Sequence, residues 1–92
     1  MRYSLCYHED VVREDIPRLP KTWRIKIQKA IATRLMTEPD LYGVPLRRSL
    51  IGYRKLRVSD YRVVYLVTGR LVKIFTIRHR KDVYEESSKR TH

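Results

Sequence analysis

The chain has 92 residues, of which 21 are Lys or Arg and 10 are Asp or Glu, giving a net charge of +11. That length supports one domain, 1–92, with a modest core and a thin margin of stability, and that charge excludes an electrically neutral surface, so an anionic partner is expected. No apolar run can span a bilayer and no apolar leader opens the chain; the cations are not gathered on one amphipathic helix; and the single cysteine, Cys6, excludes an internal disulfide, which suits a reducing cytoplasm.

Tyr3 to His8 alternates as a short strand, with Tyr3, Leu5 and Tyr7 on one side. Cys6 in that strand reads as a small buried thiol. Glu9 to Arg18 spaces Val12, Ile16 and Leu19 for one helical face, and Pro17 predicts a kink or an early end. Lys21 to Met36 is the stronger helix, with Trp23, Ile27, Ala30, Ile31 and Leu35 at helical spacing. Arg24, Lys26, Lys29 and Arg34 occupy its other faces, as a solvated surface would. Thr37, Pro39, Asp40 and Gly43 end the helix, and Pro45 to Gly52 is a loop carrying Arg47 and Arg48.

From Gly52 to Tyr65 the sequence reads as a hairpin, two β-prone runs around Ser59-Asp60. A two-residue loop sets Val58 opposite Tyr61, Arg57 opposite Arg62 and Lys55 opposite Val64. Gly69-Arg70 is a second two-residue turn, and Leu71 to Arg78 is the last strand. Strict alternation then pairs Thr68 with Leu71, Val67 with Val72, Tyr65 with Ile74 and Arg62 with Ile77. One face collects Leu56, Val58, Val63, Tyr65, Val67, Val72 and Ile74, the side for helices to cover. The other collects Lys55, Arg57, Arg62, Val64, Leu66, Lys73, Phe75, Ile77 and, at the strand end, His79: an apolar floor inside a basic rim, expected to lie open. From Asp82 the chain is polar, a short helix or disordered stretch, with 85–92 expected to fray. Strand, two-helix hairpin, then three-stranded antiparallel meander is an α+β layout with the helices packed on one sheet face. The edge at which the first strand joins is left open.

Cations crowding one face with no carboxylate in the hairpin to share it call for a polyanion. If that is RNA, cleavage needs a base for the ribose 2′-hydroxyl, charge stabilisation at the phosphoryl group and an acid for the 5′-oxygen. Arg57 and Arg62 can hold phosphate oxygens through paired donors. Lys55 is a candidate proton acceptor among them, His79 offers an imidazole, and Tyr84 can stack on a base or supply a proton. The residues alone leave open a simpler outcome, a rim that binds backbone phosphate without chemistry. His8, His79 and His92 are scattered and show no zinc-ligand spacing. There is no Gly-rich phosphate loop and no nucleophile elbow, so neither metal nor cofactor is expected.

Leu19-Pro20-Lys21, Pro45-Leu46-Arg47, Gly52-Tyr53-Arg54-Lys55-Leu56-Arg57, Asp60-Tyr61-Arg62-Val63-Val64-Tyr65 and His79-Arg80-Lys81-Asp82-Val83-Tyr84 follow one another in the order and spacing of a known family. From about Tyr3 to Tyr84 the chain resembles the RelE/ParE superfamily of toxins from toxin–antitoxin pairs. The resemblance to its RelE branch implies a cytoplasmic toxin that cuts messenger RNA in the ribosomal A site without a metal, and an acidic antitoxin that wraps and blocks it in a heterotetramer or larger complex. It implies catalytic roles for Lys55, Arg62, Arg80 and Tyr84, with His79 able to share the acid–base work. A second lysine of the family falls here on Tyr53, which leaves the choice of base between Lys55 and His79. Arg57, Arg48, Lys73, Lys81 and Tyr53 are the expected RNA contacts. ParE-type relatives, which inhibit DNA gyrase and cut nothing, generally lack the full Lys–Arg–Arg–Tyr set.

Overall fold

The computed structural model describes residues 3–91. A five-stranded sheet is ordered β1-β5-β4-β3-β2. Its strands are β1 (Ser4–Tyr7), β2 (Val44–Pro45), β3 (Arg54–Val58), β4 (Tyr61–Thr68) and β5 (Leu71–His79). The meander β3-β4-β5 is antiparallel, and β1 joins parallel to β5 at its outer edge. Both two-residue turns have a positive φ at the first loop position, 56° at Ser59 and 60° at Gly69, the sense that matches hairpin twist. The loop after the long helix adds two pieces that the sequence did not show: a helical turn, α3 (Pro39–Tyr42), and the short edge strand β2.

The helical hairpin covers one face. Its first arm is α1 (Ile16–Arg18), preceded by a wider turn over Val11–Asp15, and its second is α2 (Lys21–Ala30), which continues through another wide turn, Ile31–Leu35. The wide turn at 11–15 precedes Pro17, whose ring would crowd a carbonyl four residues back in a regular helix and has no N–H to donate. It also rotates the buried stripe. Val11, Asp15 and Leu19 are buried, at a spacing of four residues, while Val12, expected inside, is 54% exposed. From α2 and its continuation, Ile27, Ala30, Ile31 and Leu35 pack as expected on Leu56, Val63, Tyr65, Val72 and Ile74.

One irregularity changes the other face. Val64 pairs with Thr76 but Tyr65 pairs with Ile74, so Phe75 is an extra residue in β5. A bulge of this kind reverses the alternation beyond it. The expected pairing of Arg62 with Ile77 is therefore wrong: Arg62 faces Arg78, and Ile77 faces Val63 and joins the helix-covered core. His79 moves with Ile77, opposite Tyr61.

The apolar floor is not open either. Val64 and Phe75 are buried beneath Leu46, Leu50 and Val83. Val83 starts a helix, α4 (Val83–Arg90), which packs on that face beside the 46–50 loop. The stretch expected to fray is thus, through residue 91, the end of a docked helix. Its anchor is Arg90, whose side chain is 2% exposed and bonds both oxygens of Asp15, at 2.7 and 2.8 Å. These groups finish the ladder where β1 stops. Beyond the bond from His8 N–H to Ile74 O, the Ile77 N–H donates to Asp15 Oδ2 (2.9 Å) and Arg90 donates to Phe75 O (2.9 Å). Side chains from the wide turn before α1 and from α4 thereby satisfy backbone groups that would otherwise be orphaned.

Candidate active site and nucleic-acid interface

β3 and β4 bring Lys55, Arg57 and Arg62 to the face that α4 partly covers. Arg57 and Arg62 stand directly opposite each other, and Arg78 completes the row on β5. Arg62 is pinned to the hairpin turn by donating to Ser59 O (2.8 Å) and Tyr61 O (2.9 Å). Arg80 reaches the same turn from β5. Its N–H donates to Asp60 O at 2.8 Å, its guanidinium lies 3.7 Å from the Asp60 carboxylate, and its side chain is more than half exposed. Arg78 is engaged differently, with Asp15, Glu14 and Glu86 around its guanidinium.

Docking of α4 delivers Tyr84 to Lys55. Lys55 Nζ donates to the Tyr84 hydroxyl and lies 5.0 Å from the ring centroid. Two clefts flank this pair. One, of about 300 Å³, is lined by Arg47, Arg48 and Tyr84; the other, of about 460 Å³, by Arg34, Tyr42, Val44, Arg57 and Arg62, with Lys55 bordering both. Neither lining includes a carboxylate. Among the described residues, Arg34, Lys55, Arg57 and Arg62 form no ion pair.

The larger cleft is closed on one side by the segment 39–45, held down by polar contacts from the sheet. The Tyr65 hydroxyl donates to Pro39 O (2.6 Å), and burial pushes its pKa up despite the nearby Arg54 charge. Arg54 donates to the carbonyls of Asp40 (2.8 Å) and Gly43 (2.6 Å) at the end of the short helix, where cations suit unsatisfied carbonyls. Gly43 is required by close approach: a Cβ there would lie 1.9 Å from the Tyr65 hydroxyl oxygen.

The other expected residues are placed as follows. His79 lies on the opposite face from Lys55, edge-on to Tyr61 at 5.8 Å, with Nδ1 accepting the Lys81 N–H at 3.2 Å. It is not brought to Lys55, because the bulge turned it away. Tyr53 is half-buried and packs on Phe75, ring centroids 4.8 Å apart. Lys73 is exposed on the α4 side of the sheet, five residues back along β5 from Arg78, or about 16 Å at strand rise. Lys81 is exposed just beyond the end of β5. Arg48, with φ 58°, borders the smaller cleft. The sequence reading missed Arg34, Tyr42 and Arg78. Arg34 looked like solvated helix surface, and Arg78 was masked by the bulge. Tyr42 sat in a stretch read only as a terminator.

A profile of the family described as "ParE toxin of type II toxin-antitoxin system, parDE" matches residues 9–84. The chain is similar to "mRNA interferase toxin RelE" of Escherichia coli (strain K12), 34% identical with 98% of each chain covered. It is similar to "Toxin RelG" of Mycobacterium tuberculosis, 32% identical over 78% of this chain and 85% of that one. Its fold is similar to a chain of the toxin–antitoxin complex RelBE2 from Mycobacterium tuberculosis, with a TM-score of 0.79 and 28% identity over 89% of this chain and 95% of the other. A five-stranded sheet with a parallel outer strand, a helical hairpin on one face and a basic cleft on the other thus coincides with a profile match over most of the length: the chain belongs to the RelE/ParE superfamily of type II toxin–antitoxin toxins.

Proposed function

We propose that this toxin is an endoribonuclease that cuts messenger RNA on the ribosome, without a metal, and that an acidic antitoxin holds it in check in the cytoplasm. The observation that carries the reading is the Lys55–Tyr84 contact between two clefts walled by arginines without carboxylate partners. The mechanism balances as a transesterification. Lys55, as the amine, takes the proton of the 2′-hydroxyl, and the oxygen attacks phosphorus to form a 2′,3′-cyclic phosphate. Arg62 and Arg57 stabilise the charge growing on the phosphoryl oxygens, with Arg80 contributing from the strand end. The P–O5′ bond breaks, and Tyr84 gives its proton to the leaving oxygen. Lys55 then returns its proton to Tyr84 through their hydrogen bond, restoring both groups. His79 has no step in this scheme, since it faces the other side of the sheet. The curated relative named as an mRNA interferase and the relative solved in a toxin–antitoxin complex support the activity and the partner respectively.

Inducing the chain in cells and mapping the 5′ ends of a reporter message tests this. Codon-phased cuts confined to translated regions are expected. Intact messages with arrested growth and a DNA-damage response would overturn it in favour of gyrase inhibition.

A further inference from the structure

We infer that the larger cleft beside Lys55 is a nucleotide subsite in which Tyr42 stacks on an unpaired RNA base while Arg34 holds a flanking phosphate. This rests on the RNA-cleavage reading and names residues beyond the acid–base pair and the hairpin arginines. Tyr42 is 46% exposed and lines the cleft together with Arg34, Arg57 and Arg62. Among the described residues its ring has no aromatic partner and its hydroxyl no hydrogen bond. An aromatic ring left half in water has an unused apolar face.

The backbone that carries the ring is also held in place. Arg54 and Tyr65 fix the backbone on either side of it through the carbonyls of Pro39, Asp40 and Gly43. A ring with a fixed backbone loses little freedom when a base stacks on it. The cleft volume of about 460 Å³ is within the range of small-ligand sites. An aromatic platform beside several guanidinium groups, with no carboxylate, fits a single-stranded nucleotide: the base has a π face and the backbone supplies the anions. An acidic peptide would satisfy the arginines but would not use the ring face. Tyr84, the aromatic that the sequence singled out for stacking, has its hydroxyl occupied by Lys55 and borders the other cleft. The two rings therefore flank the candidate cut from opposite sides of Lys55.

The test uses a short RNA, 2′-O-methylated throughout so that it cannot be cut, carrying one 2-aminopurine whose fluorescence falls on stacking. The parent toxin should quench the probe. Tyr42→Phe should quench it equally, and Tyr42→Ala should lose the quench and bind roughly tenfold more weakly, as loss of one base–aromatic stack does. With an abasic site in place of 2-aminopurine, parent and Tyr42→Ala should bind alike. Leu41→Ala, which alters the exposed neighbour outside the cleft, is the folding and surface control. Equal quenching by parent and Tyr42→Ala overturns the subsite, as does a parent toxin that does not quench at all. So does a Tyr42→Ala variant whose only defect is weaker binding to the antitoxin. A Tyr42-dependent quench from a chain that cuts no message on ribosomes would leave the subsite standing and remove the nuclease reading instead.

Discussion

At the scale of single residues, the two arginines that face each other across the β3-β4 hairpin carry different loads. Arg57 is exposed, whereas Arg62 is half-buried and steered by the carbonyls of Ser59 and Tyr61. Those bonds hold the guanidinium before substrate arrives, the arrangement that electrostatic stabilisation of a transition state requires. Arg62→Ala should therefore slow single-turnover cleavage on programmed ribosomes by about 10²- to 10³-fold. Its melting temperature should stay close to the parent's, since the lost bonds lie at a solvated turn. Tyr84→Phe separates two roles. It keeps the ring but removes the hydroxyl that accepts from Lys55. If Tyr84 supplies the proton, the single-turnover rate falls by about 10²- to 10⁴-fold while message affinity holds; an unchanged rate would leave Tyr84 only as a ring beside the cut.

At the scale of elements, α4 depends on a carboxylate from the far side of the sheet. Asp15 belongs to the wide turn before α1, yet its oxygens bond Arg90 of α4, Arg78 of β5 and the Ile77 N–H. Burial alone would raise the Asp15 pKa; the bonds from Arg90, the Ile77 N–H and Arg78, with the Arg90 charge, outweigh it and hold the carboxyl below its usual value of 3.8. For Arg90 the balance has the same form: burial favours the neutral group, but Asp15, Glu86 and Asp10 hold the proton more firmly. A lowered carboxyl pKa stabilises the fold fully above the ordinary carboxylate range, and that contribution is lost as pH falls through the lower folded value. Asp15→Ala takes the nearest carboxylate from two largely buried guanidinium groups, leaves them only the longer contacts to Glu14, Glu86 and Asp10, and should cost about 3–5 kcal/mol in urea denaturation at neutral pH. The parent should lose stability on acidification below about pH 4, through a component that the variant lacks. Because α4 carries Tyr84, the same variant should also lose cleavage before it unfolds globally.

At the scale of the whole molecule, the net charge of +11 is unevenly spread. Asp10, Glu14, Asp15 and Glu86 gather with Arg78 and Arg90 along the free part of the β5 edge. The clefts around Lys55 receive none of them. Acidic groups thus neutralise the cations that hold α4 in place and leave those facing the clefts to attract a polyanion or an acidic protein. Association with a coexpressed acidic antitoxin should slow as ionic strength rises, because screening shortens the reach of this field. A stopped-flow on-rate that is flat between low and physiological salt would show that the charge plays no part in their encounter.

The local physics of the chain settled much of this without any tertiary information. Side-chain period identified α2 and the three meander strands. Two-residue turn chemistry at Ser59-Asp60 and Gly69-Arg70 fixed the registers of both hairpins near their loops, which placed Lys55, Arg57 and Arg62 on one face. Those signals are short-range and legible because each depends on a handful of consecutive residues. Three things were decided only when the chain closed on itself. The extra residue at Phe75 sent His79 away from Lys55 and brought Arg78 beside Arg62, and nothing in a run of apolar residues announces where one will be left unpaired. Asp15 and Arg90, 75 positions apart, meet across the edge of β5, so a polar tail became a docked helix with Tyr84 beside Lys55. Tyr42 acquired a place beside the arginines because Tyr65 and Arg54, reaching from the sheet, bind the carbonyls of Pro39, Asp40 and Gly43 around it. In each case a long-range contact, absent from any local pattern, determined which side chains gather around Lys55.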